Sequence, residues 1–339
     1  MEITSRVLQS LLIDLGISVI PKFESDSPLC KMFHFNVCSI KNISAIPKQI
    51  PALSKFLKVD IEYEDSSVAH FALRINKTER PKIPFSSPQY QKQIDFNYDK
   101  LNIFAGVDAE NRVVCFDLQD MPHMLIAGTT GSGKSVMLNT IVCSLMKSEE
   151  TILFDFIDTK RVELSKFRNV KNSRFAPTPI DALEILADVC DDIDYRYSIL
   201  ETNPNASFFS RVVIIEELND LMMASKKAVE QYIVKIAQLG RACGVYLIIA
   251  TQRPVVETLT GNIKANIDCR LALKTTSAID SRNILGHSGA EKLNGRGDAL
   301  LKLPTNNNEI HIQCPFIDNL EIEKIVENYN ADTIVVDCE

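Results

Sequence analysis

The stretch His123–Val142, HMLIAGTTGSGKSVMLNTIV, decides the fold of the second part of this chain. At its centre is the pattern GxxxxGK[ST], which follows an apolar run typical of a strand and opens a run typical of a helix. In this pattern the glycines let the backbone curl so that its N–H groups point at phosphate oxygens, and the helix N-terminus adds partial positive charge. The stretch therefore predicts a phosphate-binding loop made of Gly128, Thr129, Thr130, Gly131, Ser132, Gly133, Lys134 and Ser135.

Two side chains at the end of this loop have specific expected roles. Lys134 is expected to reach the β- and γ-phosphates of ATP, and the Ser135 hydroxyl to bind Mg²⁺. The cofactors predicted from the loop are therefore ATP and Mg²⁺.

Phosphoryl transfer also needs an acidic group for Mg²⁺ and water at the end of a second apolar strand, and the segment Arg211–Glu217, RVVIIEE, supplies one. Four apolar residues are followed by two glutamates, which is the pattern expected where a buried strand ends and the chain reaches the edge of the sheet. We assign Glu216 to the Mg²⁺ side and Glu217 to orienting the attacking water. Gln252 ends a third apolar run, VYLIIATQ, and a polar side chain there can sense the γ-phosphate if its strand lies beside that of the loop.

Residues 100–339 alternate apolar strands with helices, which favours an α/β fold with a doubly wound, mainly parallel sheet. The expected strands are HMLIAG, TILFDFID, RVVIIEE, VYLIIATQ and CRLALKT. Helices are expected from the loop to about residue 147 and over 181–201, 226–242 and 279–285.

The first 76 residues have a different rhythm, α-β-β-α-β-β, which predicts a small α+β domain over residues 1–76. Its expected role is positioning or oligomer contact. Residues 77–99 contain three prolines without periodicity, so we expect a linker or an extended arm there, with the α/β domain over residues 100–339.

Composition limits the function classes. The chain has 339 residues, 45% of them apolar and 24% charged, with no apolar run near the roughly 18 residues that span a bilayer. Nine cysteines without a CxxC pair indicate reduced thiols, and a cytoplasmic protein is expected. The net charge of −7 means that contact with a phosphate backbone must be local, for instance through a few Lys or Arg in a pore.

Together, several segments resemble the FtsK/SpoIIIE family of hexameric DNA translocases. They keep their order over about residues 100–316, and the N-terminal segment is also similar to the domain that precedes the motor in this family. The segments are MPHMLIAGTTGSGKSVMLN, FIDTKRVELS, VVIIEELNDLMM, GRACGVYLIIATQRP, GNIKANIDCRLALKTTSAIDSRNILG and GAEKLNGRGDALL.

The resemblance implies a RecA-like P-loop NTPase core in a homohexameric ring, with ATP sites between neighbours and double-stranded DNA through the centre. In such rings an arginine of one subunit stabilises transition-state charge at the γ-phosphate of the next. Arg282 is the first candidate and Arg270 the second. Lys226, Lys227 and Lys264 are candidate pore or interface groups, although charged surface loops would explain them equally well.

Four departures from the family pattern keep other functions open. The usual DE is EE at residues 216–217, IDPK is IDTK around Lys160, no membrane-spanning part precedes the motor, and little chain follows the helix NLEIEKIVENY for an orientation-reading winged helix. Recruitment by a membrane or protein partner is therefore one expectation. The alternatives are a secretion-type ATPase that moves proteins, and a nucleotide-binding scaffold with weak turnover.

Overall fold

The structure, a computed structural model, describes residues 2–39, 44–67, 69–94, 100–148, 151–305 and 309–333. The chain divides into two compact units. One contains the residues up to Lys82 together with Val107–Arg112, and the other contains Ile83–Gly106 and the residues from Val113 onward.

The smaller unit has the predicted order α-β-β-α-β-β. Its elements are α1 (Ser5–Asp14), β1 (Val19–Asp26), β2 (Cys30–Val37), α2 (Ile46–Leu57), β3 (Ile61–Ser67) and β4 (His70–Asn76). The four strands form an antiparallel sheet in the order β1-β2-β4-β3.

Helix α1 shows why this unit folds as its sequence indicates. Thr4 caps the helix by accepting a hydrogen bond from the Val7 N–H, and Leu8 and Leu12, one turn apart, are fully buried. They pack in one cluster with Phe33 and Phe35 of β2, so one face of the sheet forms the core with the helices.

The larger unit is an α/β structure around one wide sheet. Its strands are β5 (Asn102–Asp108), β6 (Val113–Asp117), β7 (His123–Ala127), β8 (Ile152–Ile157), β9 (Ser173–Ala176), β10 (Ser210–Ile215), β11 (Val245–Thr251), β12 (Cys269–Leu273), β13 (Asp298–Lys302) and β14 (Ile310–Gln313). Its helices are α3 (Pro88–Gln91), α4 (Lys134–Ser148), α5 (Pro179–Thr202), α6 (Leu218–Leu239), α7 (Gly261–Asn266), α8 (Ala278–Leu285) and α9 (Asn319–Asp332).

The sheet order is β6-β5-β14-β13-β12-β7-β11-β10-β8-β9. All neighbours from β12 to β9 are parallel, whereas β12/β13 and β13/β14 are antiparallel. Strands β7, β10 and β11 are buried along their whole length, as expected for continuous apolar strands covered on both faces. The predicted α/β class with a mainly parallel sheet is therefore confirmed.

Two segments differ from the expectation. The stretch predicted as a linker contains four apolar residues that are buried within the larger unit, namely Ile83, Phe85, Tyr90 and Ile94. Their spacing follows no regular period, so no helix or strand pattern indicated this burial. Residues 95–99 lie outside the described residues. Helix α6 begins at Leu218 rather than at 226, with a non-helical residue, Ser225, inside it. Among the described helices, none is long and apolar enough to cross a membrane.

Candidate nucleotide-binding site

The predicted phosphate-binding loop joins β7 to α4. Gly131 and Gly133 have φ values of +77° and +105°, which only glycine adopts easily. A Cβ at Gly133 would also lie 2.6 Å from the backbone nitrogen of Gly297, so a side chain would not fit. The loop therefore needs both glycines for its backbone conformation, and it also needs Gly133 to leave room for the backbone of Gly297.

That neighbour is a second loop, Gly295–Arg296–Gly297, which sequence reasoning did not assign to the site. The Gly297 N–H donates to the Ser132 carbonyl at 2.7 Å, and the Arg296 N–H donates to the Gly131 carbonyl at 3.4 Å. Arg296 has a φ of +53°. The sequence feature that could have indicated this loop is the pair of glycines in NGRGD. Glycine readily adopts left-handed backbone, and such backbone at successive positions indicates a tight loop.

Two buried polar atoms of the site have the chemistry to meet a phosphate and a cation. Ser132 Oγ and Glu216 Oε2 are buried, and neither has a hydrogen-bond partner among the described residues. Buried polar atoms without partners are costly, so each is expected to meet a ligand. A hydroxyl suits a phosphate oxygen, and a carboxylate oxygen suits Mg²⁺.

The loop lysine is paired with the first acidic residue. Lys134 Nζ lies 2.7 Å from Glu216 Oε1 and 3.0 Å from the Glu216 carbonyl oxygen. Both side chains are almost fully buried. Burial raises the pKa of Glu216, and the Lys134 ammonium opposes that shift.

The second acidic residue has several partners at the edge of the sheet. Glu217 Oε1 accepts a hydrogen bond from Thr251 Oγ1 at 2.7 Å, and Oε2 accepts one from the Gln252 N–H at 3.1 Å. Glu217 also caps α6 by accepting from the Asn219 N–H at 3.4 Å. These bonds hold the carboxylate against the ends of β10 and β11.

Gln252 lies where the sequence argument required it, because β11 pairs directly with β7. Its Oε1 accepts a hydrogen bond from Thr130 Oγ1 of the phosphate-binding loop at 3.2 Å. Gln252 thus contacts the phosphate-binding loop through its side chain, and it contacts Glu217 through its backbone N–H.

A lysine that received no role from the sequence completes the cluster. Lys160, in the turn after β8, has its Nζ 3.4 Å from Glu217 Oε2 and 3.8 Å from Asp220 Oδ2. The carboxyl ends of β7, β8, β10 and β11 therefore bring together the groups predicted from three separate segments.

The two candidate arginines lie in different surroundings. Arg270 is half-buried, and its guanidinium donates to the carbonyl oxygens of Ile267, Ile284 and Lys264 at 2.9, 3.0 and 2.5 Å. Arg282 is exposed in the last turn of α8. The Arg270 guanidinium is thus held by carbonyl oxygens of its own chain, whereas the Arg282 side chain is exposed to solvent.

The candidate pore lysines follow an irregularity in α6. Ser225 has φ −156° and ψ 74°, which breaks the helix, and Met223 just before it is 79% exposed. Lys226 and Lys227 are exposed just after the break, whereas Lys264 in α7 is only half-exposed.

Comparison with known proteins identifies the family. The FtsK/SpoIIIE family model matches residues 87–210 and 206–256. The chain is similar to the DNA translocase FtsK of Chlorobaculum tepidum, at 38% identity over 73% of this chain and 34% of that protein. Its similarity to the DNA translocase FtsK of Caldanaerobacter subterraneus is 39% identity over 68% of this chain and 36% of that protein. The chain thus spans about a third of the length of these relatives.

Solved structures share the fold at lower identity. The pCW3 conjugation coupling protein TcpA, in a monomer form with ATPγS, aligns with a TM-score of 0.67 and 22% identity over 94% of this chain and 98% of that chain. The cytoplasmic domain of the type VII secretion ATPase EccC of Thermomonospora curvata aligns with a TM-score of 0.59 and 22% identity over 70% of this chain and 32% of that chain. From the match of its sequence to the family model and to these relatives, the chain belongs to the FtsK/SpoIIIE family.

Proposed function

We propose that this chain hydrolyses ATP and uses the energy to move double-stranded DNA through a homohexameric ring. The observation that carries the proposal is the convergence of Lys134, Glu216, Glu217 and Gln252 at the carboxyl ends of neighbouring parallel strands. The similarity to proteins named DNA translocase FtsK supports DNA as the cargo.

In this proposal each residue of the site has one task. Backbone N–H groups of Gly128–Ser135 bind phosphate oxygens, and Lys134 leaves Glu216 for the β- and γ-phosphates. Ser135 and Glu216 would hold Mg²⁺, which would supply positive charge next to those oxygens. Glu217 orients the attacking water, and Gln252 reports the state of the γ-phosphate to the Glu217 edge of the sheet.

The ring places ATP between subunits. Arg282 is exposed, so it can extend toward the nucleotide of a neighbour and stabilise charge in the transition state. Arg270 donates to three carbonyls of its own subunit and has no such freedom.

DNA contact is local rather than general, because the chain is acidic overall, with a net charge of −7. Lys226 and Lys227 are exposed next to the break in α6, and these two lysines, with Lys264, are the proposed contacts with the phosphate backbone. We assign the motor to the cytoplasm because nine cysteines without a CxxC pair indicate reduced thiols, as expected in a reducing compartment. A membrane or protein partner would recruit it to its DNA.

The test is the ATPase rate of the purified chain with and without long double-stranded DNA, at low and moderate salt. Strong stimulation that fades as salt rises is the expected result, because phosphate contacts release counterions. A Lys226→Gln, Lys227→Gln double variant should keep the basal rate and lose part of the stimulation.

Other outcomes would redirect the function. A substantial rate that is indifferent to DNA would contradict DNA as the cargo and favour a protein. The absence of turnover by an assembled ring would contradict the motor and favour a nucleotide-binding scaffold.

A further inference from the structure

The turn that follows β8 is built around one buried carboxylate. Asp158 is fully buried, and its Oδ1 accepts hydrogen bonds from the N–H groups of Lys160 and Arg161 at 3.1 and 2.9 Å. Its Oδ2 accepts from Val162 and Leu164 at 3.0 and 2.9 Å. Four bonds to one side chain fix the backbone from which the Lys160 side chain extends.

That side chain reaches the carboxylate proposed to orient water. Lys160 Nζ lies 3.4 Å from Glu217 Oε2, whereas Glu217 Oε1 is bonded to the neutral hydroxyl of Thr251. Asp220, 3.8 Å from the same ammonium, is tied to the turn by a 3.2 Å hydrogen bond from Thr159 Oγ1. The Glu217 carboxylate therefore has a cation at one oxygen and an uncharged donor at the other.

The two lysines of the site each form an ion pair with a different one of two consecutive glutamates. Lys134 pairs with Glu216, and the exposed fractions of these side chains are 3% and 1%. Lys160 pairs with Glu217, but its side chain is 42% exposed, against 3% for Glu217. Lys160 can therefore adjust to a substrate from the solvent side without opening the core.

The charge around Lys160 agrees with this pairing. Partial burial would lower the pKa of Lys160, but the carboxylates of Glu217, Glu216 and Asp220 outweigh it and raise that pKa. Lys160 is thus a stable cation next to Glu217 at neutral pH.

We propose that Lys160 is a positioning residue for hydrolysis, which holds the Glu217 carboxylate oriented toward the attacking water. Lys160 acts through Glu217 and does not itself contact the reacting atoms. The proposal rests on the proposed ATPase function, because a carboxylate that orients water matters only if ATP is hydrolysed.

The first experiment compares Lys160→Met and Lys160→Arg in the full chain. Lys166→Met is the matched control, since Lys166 is also a partly exposed lysine with a side-chain partner, Asn319 at 3.4 Å, outside the site. The kcat and KM for ATP, the affinity for a non-hydrolysable ATP analogue and the melting temperature are measured for each.

We expect Lys160→Met to lower kcat by roughly tenfold, a part of the 10²–10⁴-fold that positioned acid–base groups contribute. KM and analogue affinity should stay within about twofold, because no phosphate contact is lost. Lys160→Arg should restore most of kcat, and Lys166→Met should match the wild type. An unchanged kcat in Lys160→Met, or a parallel loss of kcat, affinity and melting temperature, would overturn the proposal.

A second measurement does not depend on turnover. The rate at which acetic anhydride acetylates Lys160 is followed by mass spectrometry, relative to Lys166 in the same molecule. Glu217→Gln should accelerate acetylation of Lys160 severalfold, because removing the anion lowers the lysine pKa and frees its nitrogen. Equal rates with and without the Glu217 carboxylate would overturn the pairing, whereas a wild type without ATPase activity would contradict only the proposed function.

Discussion

Lys134 Nζ and Glu216 Oε1 lie 2.7 Å apart in a buried ion pair between the start of α4 and the end of β10. The lysine expected to bind phosphate is thus held by the carboxylate expected to bind Mg²⁺. In the proposed mechanism Lys134 must leave this partner for the phosphates of ATP, whereas Glu216 has its second oxygen, Oε2, for Mg²⁺. The affinity for ATP therefore depends on the free energy of the Lys134–Glu216 contact that is lost as well as on that of the new contacts with the phosphates.

Replacing Lys134 by Ala should abolish nucleotide binding and also destabilise the fold. A buried carboxylate without its partner costs roughly 3–5 kcal/mol, and it can escape this cost only by taking up a proton. The pKa of Glu216 is already raised by burial, so the destabilisation should grow as pH rises above the ordinary glutamate range. ATP titration and denaturant unfolding at two pH values measure both effects.

The matched control is Glu216→Gln in the Lys134→Ala background. It should recover most of the stability, because no charge remains buried, but it should not recover binding. Unchanged nucleotide affinity in Lys134→Ala would contradict the phosphate assignment of the loop.

Replacing Glu216 by Asp should tighten ATP binding. The side chain is one methylene shorter, so it cannot keep the 2.7 Å contact with Lys134, whereas the contact with the backbone carbonyl remains. A hydrogen bond to a charged group contributes about 1.5–3 kcal/mol, so we expect affinity to rise roughly tenfold. Calorimetric titration with ATP and Mg²⁺ tests this, and equal or weaker binding would show that the ion pair does not compete with the nucleotide.

Much of the site was predictable because each part has a local signature. The glycine spacing around Lys134 marks the phosphate-binding loop, and the apolar run before Glu216 marks a buried strand that ends at the sheet edge. The continuous burial of such strands follows from helices on both faces of a parallel sheet.

The contacts between these parts were not predictable from residues alone. Gln252 meets Thr130 only because β11 lies beside β7, and strand order is set by packing over the whole unit. Arg270 was a finger candidate, but no local pattern indicates that its guanidinium donates to three carbonyls. Lys160 likewise required the fold, since 57 residues separate it from Glu217.

The exposed Arg282 should be dispensable for folding but not for turnover. Arg282→Ala should keep ATP binding and the melting temperature, because the side chain is at the surface. Turnover should fall by roughly 10³-fold or more, the scale of an arginine finger. Rings mixed from Arg282→Ala and Lys134→Ala subunits should recover part of the activity if the arginine acts on the neighbour. Full turnover by Arg282→Ala alone would make this residue structural.

Arg270→Ala should give the opposite result. It removes the donor from the carbonyl oxygens of Lys264, Ile267 and Ile284, so we expect a loss of about 1–3 kcal/mol in the free energy of unfolding. The rate per folded, assembled subunit should remain close to that of the wild type. A large loss of turnover at normal stability would instead make Arg270 the finger.

The strand that leads into the phosphate-binding loop carries a pH-sensitive residue. His123, the first residue of β7, is buried, and burial lowers its pKa to about 4. An unfolded histidine titrates near about 6.5, so between these values the unfolded chain binds a proton that the folded chain does not. As pH falls through this window the free energy of unfolding should fall, by up to about 3 kcal/mol from this residue.

His123→Leu should remove this part of the acid destabilisation, which denaturant unfolding between pH 7 and pH 4 measures. His287→Gln is the contrasting control, because the Ser288 carbonyl and the Glu309 carboxylate raise the pKa of His287. A histidine whose pKa is raised by folding stabilises the folded chain at acid pH, and this contribution is lost as pH rises. Removing His287 should therefore make the free energy of unfolding fall more steeply as pH falls. If His123→Leu loses stability with acid as steeply as the wild type, the imidazole of His123 is not buried in its neutral form.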